Sequence, residues 1–131
     1  MPYLIDSDWV IDYLDEVPEA LVLLRQLFPD GVAISVVTYM EVLQGVERSP
    51  DATGARSKFD SFLRGIPVLP FSLAVAERCA LLREELRRQG KRVHPRALDL
   101  INAATALDYG FTLVTRNRED YEDIPGLVLY P

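Results

Sequence analysis

The chain contains one cysteine and one histidine in 131 residues. Cys79 alone forms no internal disulfide, and its helical spacing with Val75, Leu82 and Leu86 marks a buried structural thiol. A zinc site built from cysteine and histidine is excluded. His94 sits beside Pro95 in a predicted exposed loop, outside any serine-histidine or cysteine-histidine motif. Lysine is scarce, with only Lys58 and Lys91, and there is no glycine-rich loop to cradle a phosphate. No apolar run approaches the roughly 18 residues of a membrane span. The N-terminus enters structure without a basic-then-apolar leader, so a cytoplasmic protein with no membrane segment is expected.

What remains is an ordinary globular composition, 49% hydrophobic and 26% charged, in a length that fits one domain over residues 1–131. The net charge of -6 argues against non-specific coating of nucleic acid. Acidity has another use: a cluster of carboxylates becomes productive when a divalent cation occupies it.

Apolar runs and helical stripes alternate along the chain. Leu4-Ile5 reads as a buried strand, followed by a helix through Trp9, Val10, Tyr13 and Leu14 that Ser7 or Asp8 can cap. A second helix carries Ala20, Leu21, Leu24 and Leu27 and ends at Pro29-Asp30-Gly31. Val32 to Val36 is a second strand. From Thr38 a helix sets Met40, Leu43 and Val46 on one side and Glu41 nearer the other. Another places Phe59, Phe62, Leu63 and Ile66 on a stripe destined for the core or a partner. Val68-Leu69 is a short strand, and Ser72 caps a long helix that Gly90 stops. Arg83, Arg87, Arg88, Lys91, Arg92 and Arg96 gather there, as a solvated face with Glu84-Arg88 pairing or as a phosphate-contacting rim. An alanine-rich helix spans Ala97 to Tyr109, Thr112 to Thr115 is a strand, and Leu127 to Leu129 is a last one. The alternation predicts an α/β fold with a mainly parallel sheet between helices on both faces.

In such sheets the site lies beyond the carboxyl ends of the strands. Asp6, Glu41, Asp99 and Asp120 all follow strands or open the next helix. Each has a plainer explanation: Asp6 as a helix cap, Glu41 in a capping box begun by Thr38, Asp99 as a helix-dipole acid, and Asp120 as a solvated loop acid competing for its place with Asn117. Jointly they carry more, because clustered carboxylates without a basic partner are costly unless they hold a cation. Mg²⁺ or Mn²⁺ suits oxygen ligands and positions water against a phosphodiester.

The segments LIDSD, SVVTYMEVLQG and DLINAATALDYGFTLVTRNREDYEDIPGL closely resemble PIN domains, specifically the VapC-type toxins of VapBC toxin-antitoxin modules. The likeness extends over nearly the whole chain and implies the three-layer α/β/α PIN fold. It also implies an endoribonuclease acting on structured RNA, usually homodimeric and held silent by a cognate VapB-like antitoxin. Asp6, Glu41 and Asp99 match the core acids that bind Mg²⁺ or Mn²⁺, and Asp120 a more variable fourth. Thr115 and Asn117 match supporting polar positions, and Ser7 a position where small hydroxyl residues are usual. Asn102 departs from the aliphatic residue of many relatives and lies on the same helical side as Asp99. The Phe59, Phe62 and Leu63 stripe becomes a candidate dimer or antitoxin surface, with core burial as the equal alternative.

Two rivals stand beside this reading. One is a catalytically silent PIN-like binding or dimerisation module, against which the retained acids argue. The other starts from Asp6-Ser7-Asp8-Trp9-Val10, which also fits the Asp-x-Asp-x-Val form of haloacid-dehalogenase-like phosphatases. That chemistry requires a lysine near the phosphate, and neither Lys58 nor Lys91 follows a strand in the expected way.

Overall fold

Strand residues alternate between two apolar environments. Leu4, Ala33, Leu69 and Leu113 pack on one side of the sheet, and Ile5, Val32, Ile34 and Val114 on the other. A sheet that is apolar on both faces must be covered twice. In the computed structural model, which describes residues 2–131, the order is β1 (Tyr3–Ile5), α1 (Ser7–Leu14), α2 (Pro18–Leu27), β2 (Val32–Ser35), α3 (Val36–Arg48) and α4 (Ala52–Phe62). There follow β3 (Val68–Leu69), α5 (Leu73–Arg88), α6 (Ala97–Tyr109) and β4 (Thr112–Val114). The strands lie in the order β3-β2-β1-β4, and all pairs are parallel. Helices α5 and α6 cover one face and α1 to α4 the other, giving the expected three-layer α/β/α arrangement.

Small side chains let α6 pack closely on both the sheet and α5. Ala103, Ala104 and Ala106 are fully buried, beside Leu4 and Leu113 from the sheet and Val75, Cys79, Leu82 and Leu86 from α5. Gly110 ends α6 in the left-handed conformation at φ 70°, which costs glycine little.

Several sequence expectations change. Phe59 and Phe62 are buried among α1, α2 and β2 residues, which settles the open choice for these two in favour of the core, with Leu63 partly buried beside them. On α3 the buried side is Val37, Val42 and Val46, whereas Met40 is exposed, because the helix starts at Val36 directly after β2 and its phase is set there. Leu127 to Leu129 forms no extended strand: only Leu129 bridges Leu113, through bonds of 2.9 Å from Leu113 N to Val128 O and from Tyr130 N to Leu113 O.

Phe59→Ala is expected to cost about 3–5 kcal/mol, the usual range for emptying a buried phenylalanine site. Equilibrium urea unfolding measures it, and a loss under about 1 kcal/mol would contradict the packing described.

Candidate active site

β1 has β2 on one side and β4 on the other, so the chain leaves β1 in one direction and returns to its opposite flank much later. A crevice at such a switch point is where open α/β sheets bind ligands. Asp6 directly follows β1, and Thr115 directly follows β4. Thr115 Oγ1 donates to Asp6 Oδ2 at 2.7 Å, and Asn117 N donates to Thr115 Oγ1 at 3.0 Å. The Asn117 side chain itself is exposed, so the backbone of this residue supports the site. Asp6 Oδ1 accepts the Ser7 amide at 2.8 Å, making Asp6 the N-cap of α1 in place of the expected Ser7 or Asp8. A carboxylate tied by both oxygens has its rotamer fixed.

Glu41 lies in the second turn of α3. The helix is capped by Ser35, whose Oγ accepts the Thr38 amide at 3.1 Å, so no capping box involves Glu41. Asp99 is in the first turn of α6, and Tyr121 Oη donates to its Oδ1 at 3.1 Å. Asp120 is half-buried in a single 3-10 turn, Arg118–Asp120.

Burial pushes the Asp6, Glu41 and Asp99 carboxyls above their ordinary values, and repulsion among the acids adds to the effect. For Asp6, the Thr115 and Ser7 hydrogen bonds offset part of the rise, while Asp8 and Asp120 add to it. For Glu41, the Ser7 side chain lowers the value, and Asp6, Asp99 and Asp8 raise it. For Asp99, the Tyr121 hydrogen bond and the more distant Arg96 lower it, and Asp120 and Asp6 raise it. The fold therefore links the four sequence-predicted acids, which come from four separate segments: Asp6 acts on Glu41 and Asp99, and Asp120 acts on Asp6 and Asp99. Among the described residues no ion pair involves Asp6, Glu41 or Asp99. No three histidine, cysteine, aspartate or glutamate side chains among the described residues converge to chelating range. The donor set is nonetheless all oxygen, and Asp6, Glu41 and Asp99 have no ion-pair partner among the described residues, which is the chemistry a hard divalent cation relieves.

The basic rim is rearranged. Arg96 is buried, donating to Asp123 Oδ1 and Oδ2 at 2.7 and 2.9 Å and to the Asp120 carbonyl at 2.9 Å. Arg87 and Arg88 pair with Glu84, and Lys91 and Arg92 lie 3.9 Å from Asp123 and Asp120. Lys58 lines a groove between α1, α3 and α4. Neither lysine thus completes a phosphatase site at Asp6, and Asp8 is exposed on the helix rim.

Sequence reasoning missed Tyr121, Ser35 and the inward turn of Arg96. Asn102 is buried between the first two: Ser35 Oγ donates to its Oδ1 at 2.7 Å, and its Nδ2 donates to Tyr121 Oη at 3.4 Å. The departure at Asn102 was the one available signal.

The PIN domain family model matches residues 3–127. The tRNA(fMet)-specific endonuclease VapC of Shigella flexneri is 29% identical over 127 residues, covering 97% of this chain and 95% of that protein. Ribonuclease VapC2 of Rickettsia felis is 28% identical and covers 98% and 96%. Among solved structures, VapBC2 from Rickettsia felis bound to a DNA fragment from their promoter superposes with a TM-score of 0.87 at 28% identity, covering 99% of this chain and 98% of that one. DNA-bound VapBC from Salmonella typhimurium gives 0.86 at 27% identity, covering 99% and 97%.

Proposed function

This chain belongs to the PIN domain family, and from that premise we propose that it is the ribonuclease toxin of a toxin-antitoxin pair, cutting RNA with Mg²⁺ or Mn²⁺ held by Asp6, Glu41, Asp99 and Asp120. The observation that carries the reading is the gathering of uncompensated, partly buried carboxylates at the switch point of the sheet. A divalent cation held by these carboxylates would polarise a water and offset charge developing on the phosphodiester. Thr115 and the Ser7 amide hold the Asp6 carboxylate in one orientation. Tyr121 engages one oxygen of Asp99, and Arg96 fixes the backbone that presents Asp120. A VapB-like antitoxin is the proposed restraint, a homodimer the proposed assembly and the cytoplasm the proposed compartment. Among the described residues no helix is long and apolar enough to cross a membrane.

Transfer RNA is the first substrate to test, given the activity that the Shigella flexneri relative is named for. Cleavage is expected with Mn²⁺ or Mg²⁺ and lost with EDTA; a purified chain that binds no Mn²⁺ and cuts no RNA would establish the silent binding module instead.

Stability provides a separate check. Asp6, Glu41 and Asp99 have folded-state values above their ordinary 3.8, 4.5 and 3.8. The folded protein therefore holds protons that the unfolded chain has released, and their contribution to stability is lost as pH rises through the folded values. Metal-free protein carries this penalty at neutral pH, and a cation removes it. Saturating Mn²⁺ is expected to raise the thermal midpoint at about pH 7.5, with the increment collapsing near about pH 4, where protons displace the metal. An equal increment at both pH values would count against these carboxylates as its ligands.

A further inference from the structure

Tyr121, Asn102 and Ser35 are each at least nine-tenths buried, at 1%, 2% and 0% exposure. A phenylalanine and an aliphatic residue would fill the first two places without requiring hydrogen-bond partners, and buried polar groups are costly when unpaired. Proton counting fixes the direction of the chain they form. Ser35 Oγ accepts the Thr38 amide and gives its own proton to Asn102 Oδ1. The Asn102 amide is thereby oriented with Nδ2 towards Tyr121 Oη. Tyr121 has one proton to give, and gives it to Asp99 Oδ1. The chain of bonds runs in one direction, from the N-cap of α3, the helix that carries Glu41, to the carboxylate on α6.

We infer that Tyr121, oriented by Asn102 and Ser35, is a positioning residue that fixes the Asp99 carboxylate for the divalent cation and sets α6 against α3. The inference rests on the metal-dependent nuclease reading. Tyr121 touches neither the cation nor the RNA in this role; it occupies Oδ1 of Asp99 and leaves Oδ2 to the site. Residues that orient a metal ligand in this way typically alter metal affinity by about 10–100-fold when changed.

The test is Mn²⁺ titration of the full chain without RNA, following free Mn²⁺ by electron paramagnetic resonance. Tyr121→Phe is expected to weaken Mn²⁺ binding by about tenfold, with the circular dichroism spectrum close to wild type and the thermal midpoint in EDTA lowered by several degrees, because the buried Asn102 Nδ2 loses its acceptor. Asn102→Leu, which keeps the branched heavy-atom shape and takes away the donor to the tyrosine hydroxyl, is expected to weaken it in the same direction by a smaller factor. In an Asp99→Asn background, Tyr121→Phe is expected to add nothing, because its effect passes through that carboxylate. RNA cleavage by Tyr121→Phe should recover at saturating Mn²⁺, shifting the metal concentration for half-maximal rate and sparing kcat. Unchanged Mn²⁺ affinity in Tyr121→Phe, or an equal loss in the Asp99→Asn background, overturns the positioning role alone. Wild-type protein that binds no Mn²⁺ overturns the nuclease reading and this inference together.

Discussion

Asp99→Asn and Asp6→Asn are each expected to lower RNA cleavage by about a thousandfold, equivalent to about 4 kcal/mol of lost transition-state stabilisation, while the protein stays folded. Asparagine keeps the shape and one carbonyl oxygen, so it can still accept the Tyr121 hydroxyl at position 99 or the Ser7 amide at position 6. It cannot supply the negative charge. Loss of activity together with retained or increased metal-free stability is the signature that separates a metal ligand from a structural carboxylate. Burial works against the ionised form of Asp6, so the neutral substitution removes a penalty wherever the wild-type carboxyl is ionised. In EDTA at neutral pH, Asp6→Asn is expected to raise the thermal midpoint. That gain should disappear as pH falls, when the wild-type carboxyl also becomes neutral. Gel-based cleavage of a labelled RNA and scanning calorimetry check the two parts, and near-wild-type cleavage by either variant would remove that residue from the proposed site.

Arg96→Met is expected to have the largest effect on the fold outside the apolar core. The guanidinium is only 4% exposed and donates to both Asp123 oxygens and to two backbone carbonyls, those of Asp120 and Arg92. Methionine keeps the apolar stem and removes every donor. Among the described residues Lys91, at 3.9 Å, is then the one cation left beside Asp123. Breaking a buried pair costs about 3–5 kcal/mol; the 26% exposure of the Asp123 side chain lets water return, which brings the expected loss to about 2–4 kcal/mol. Calorimetry should show a midpoint lower by about 10 °C. Arg96→Lys should not rescue it, because one ammonium cannot reproduce the planar fork. The pH dependence has a definite sign: Arg96 holds the Asp123 carboxyl below its ordinary 3.8, so this stabilisation is present above that value and is lost as pH falls through the folded one. The acid limb of the wild-type stability curve should therefore flatten in Arg96→Met. Cleavage should fall as well, since the Asp120 turn is no longer tied to the start of α6.

The local signals in the sequence translated well where one side chain or one period decided the outcome. Ser72 caps α5, with its Oγ accepting the Val75 amide at 3.2 Å. Gly110 ends α6, and the alanines of that helix are buried as their size suggested. The errors arose where a neighbour decided. The spacing set Met40 with Leu43 and Val46 on one side, and only the start of α3 at Val36 turned Val37 and Val42 to the core and left Met40 exposed. Phe59 and Phe62 were equally suited to a partner surface, and the helices around them settled their burial. Arg96 belonged to a run of exposed arginines until Asp123 came within reach.

By itself, the sequence determined the chemistry available: carboxylates after strands, no second histidine or cysteine, and alternating strands and helices that allow a parallel sheet between two helical layers. The tertiary structure alone decided which carboxylates meet and what holds them. Pairing β1 with β4 places Thr115 against Asp6 across a separation of 109 positions, and the fold of the following loop turns Tyr121 inward to Asp99. Local periodicity reports which side of an element is apolar, because that depends on neighbours a few residues away. Strand order and loop closure depend on the free energy of packing the whole chain, and no spacing within one element records it.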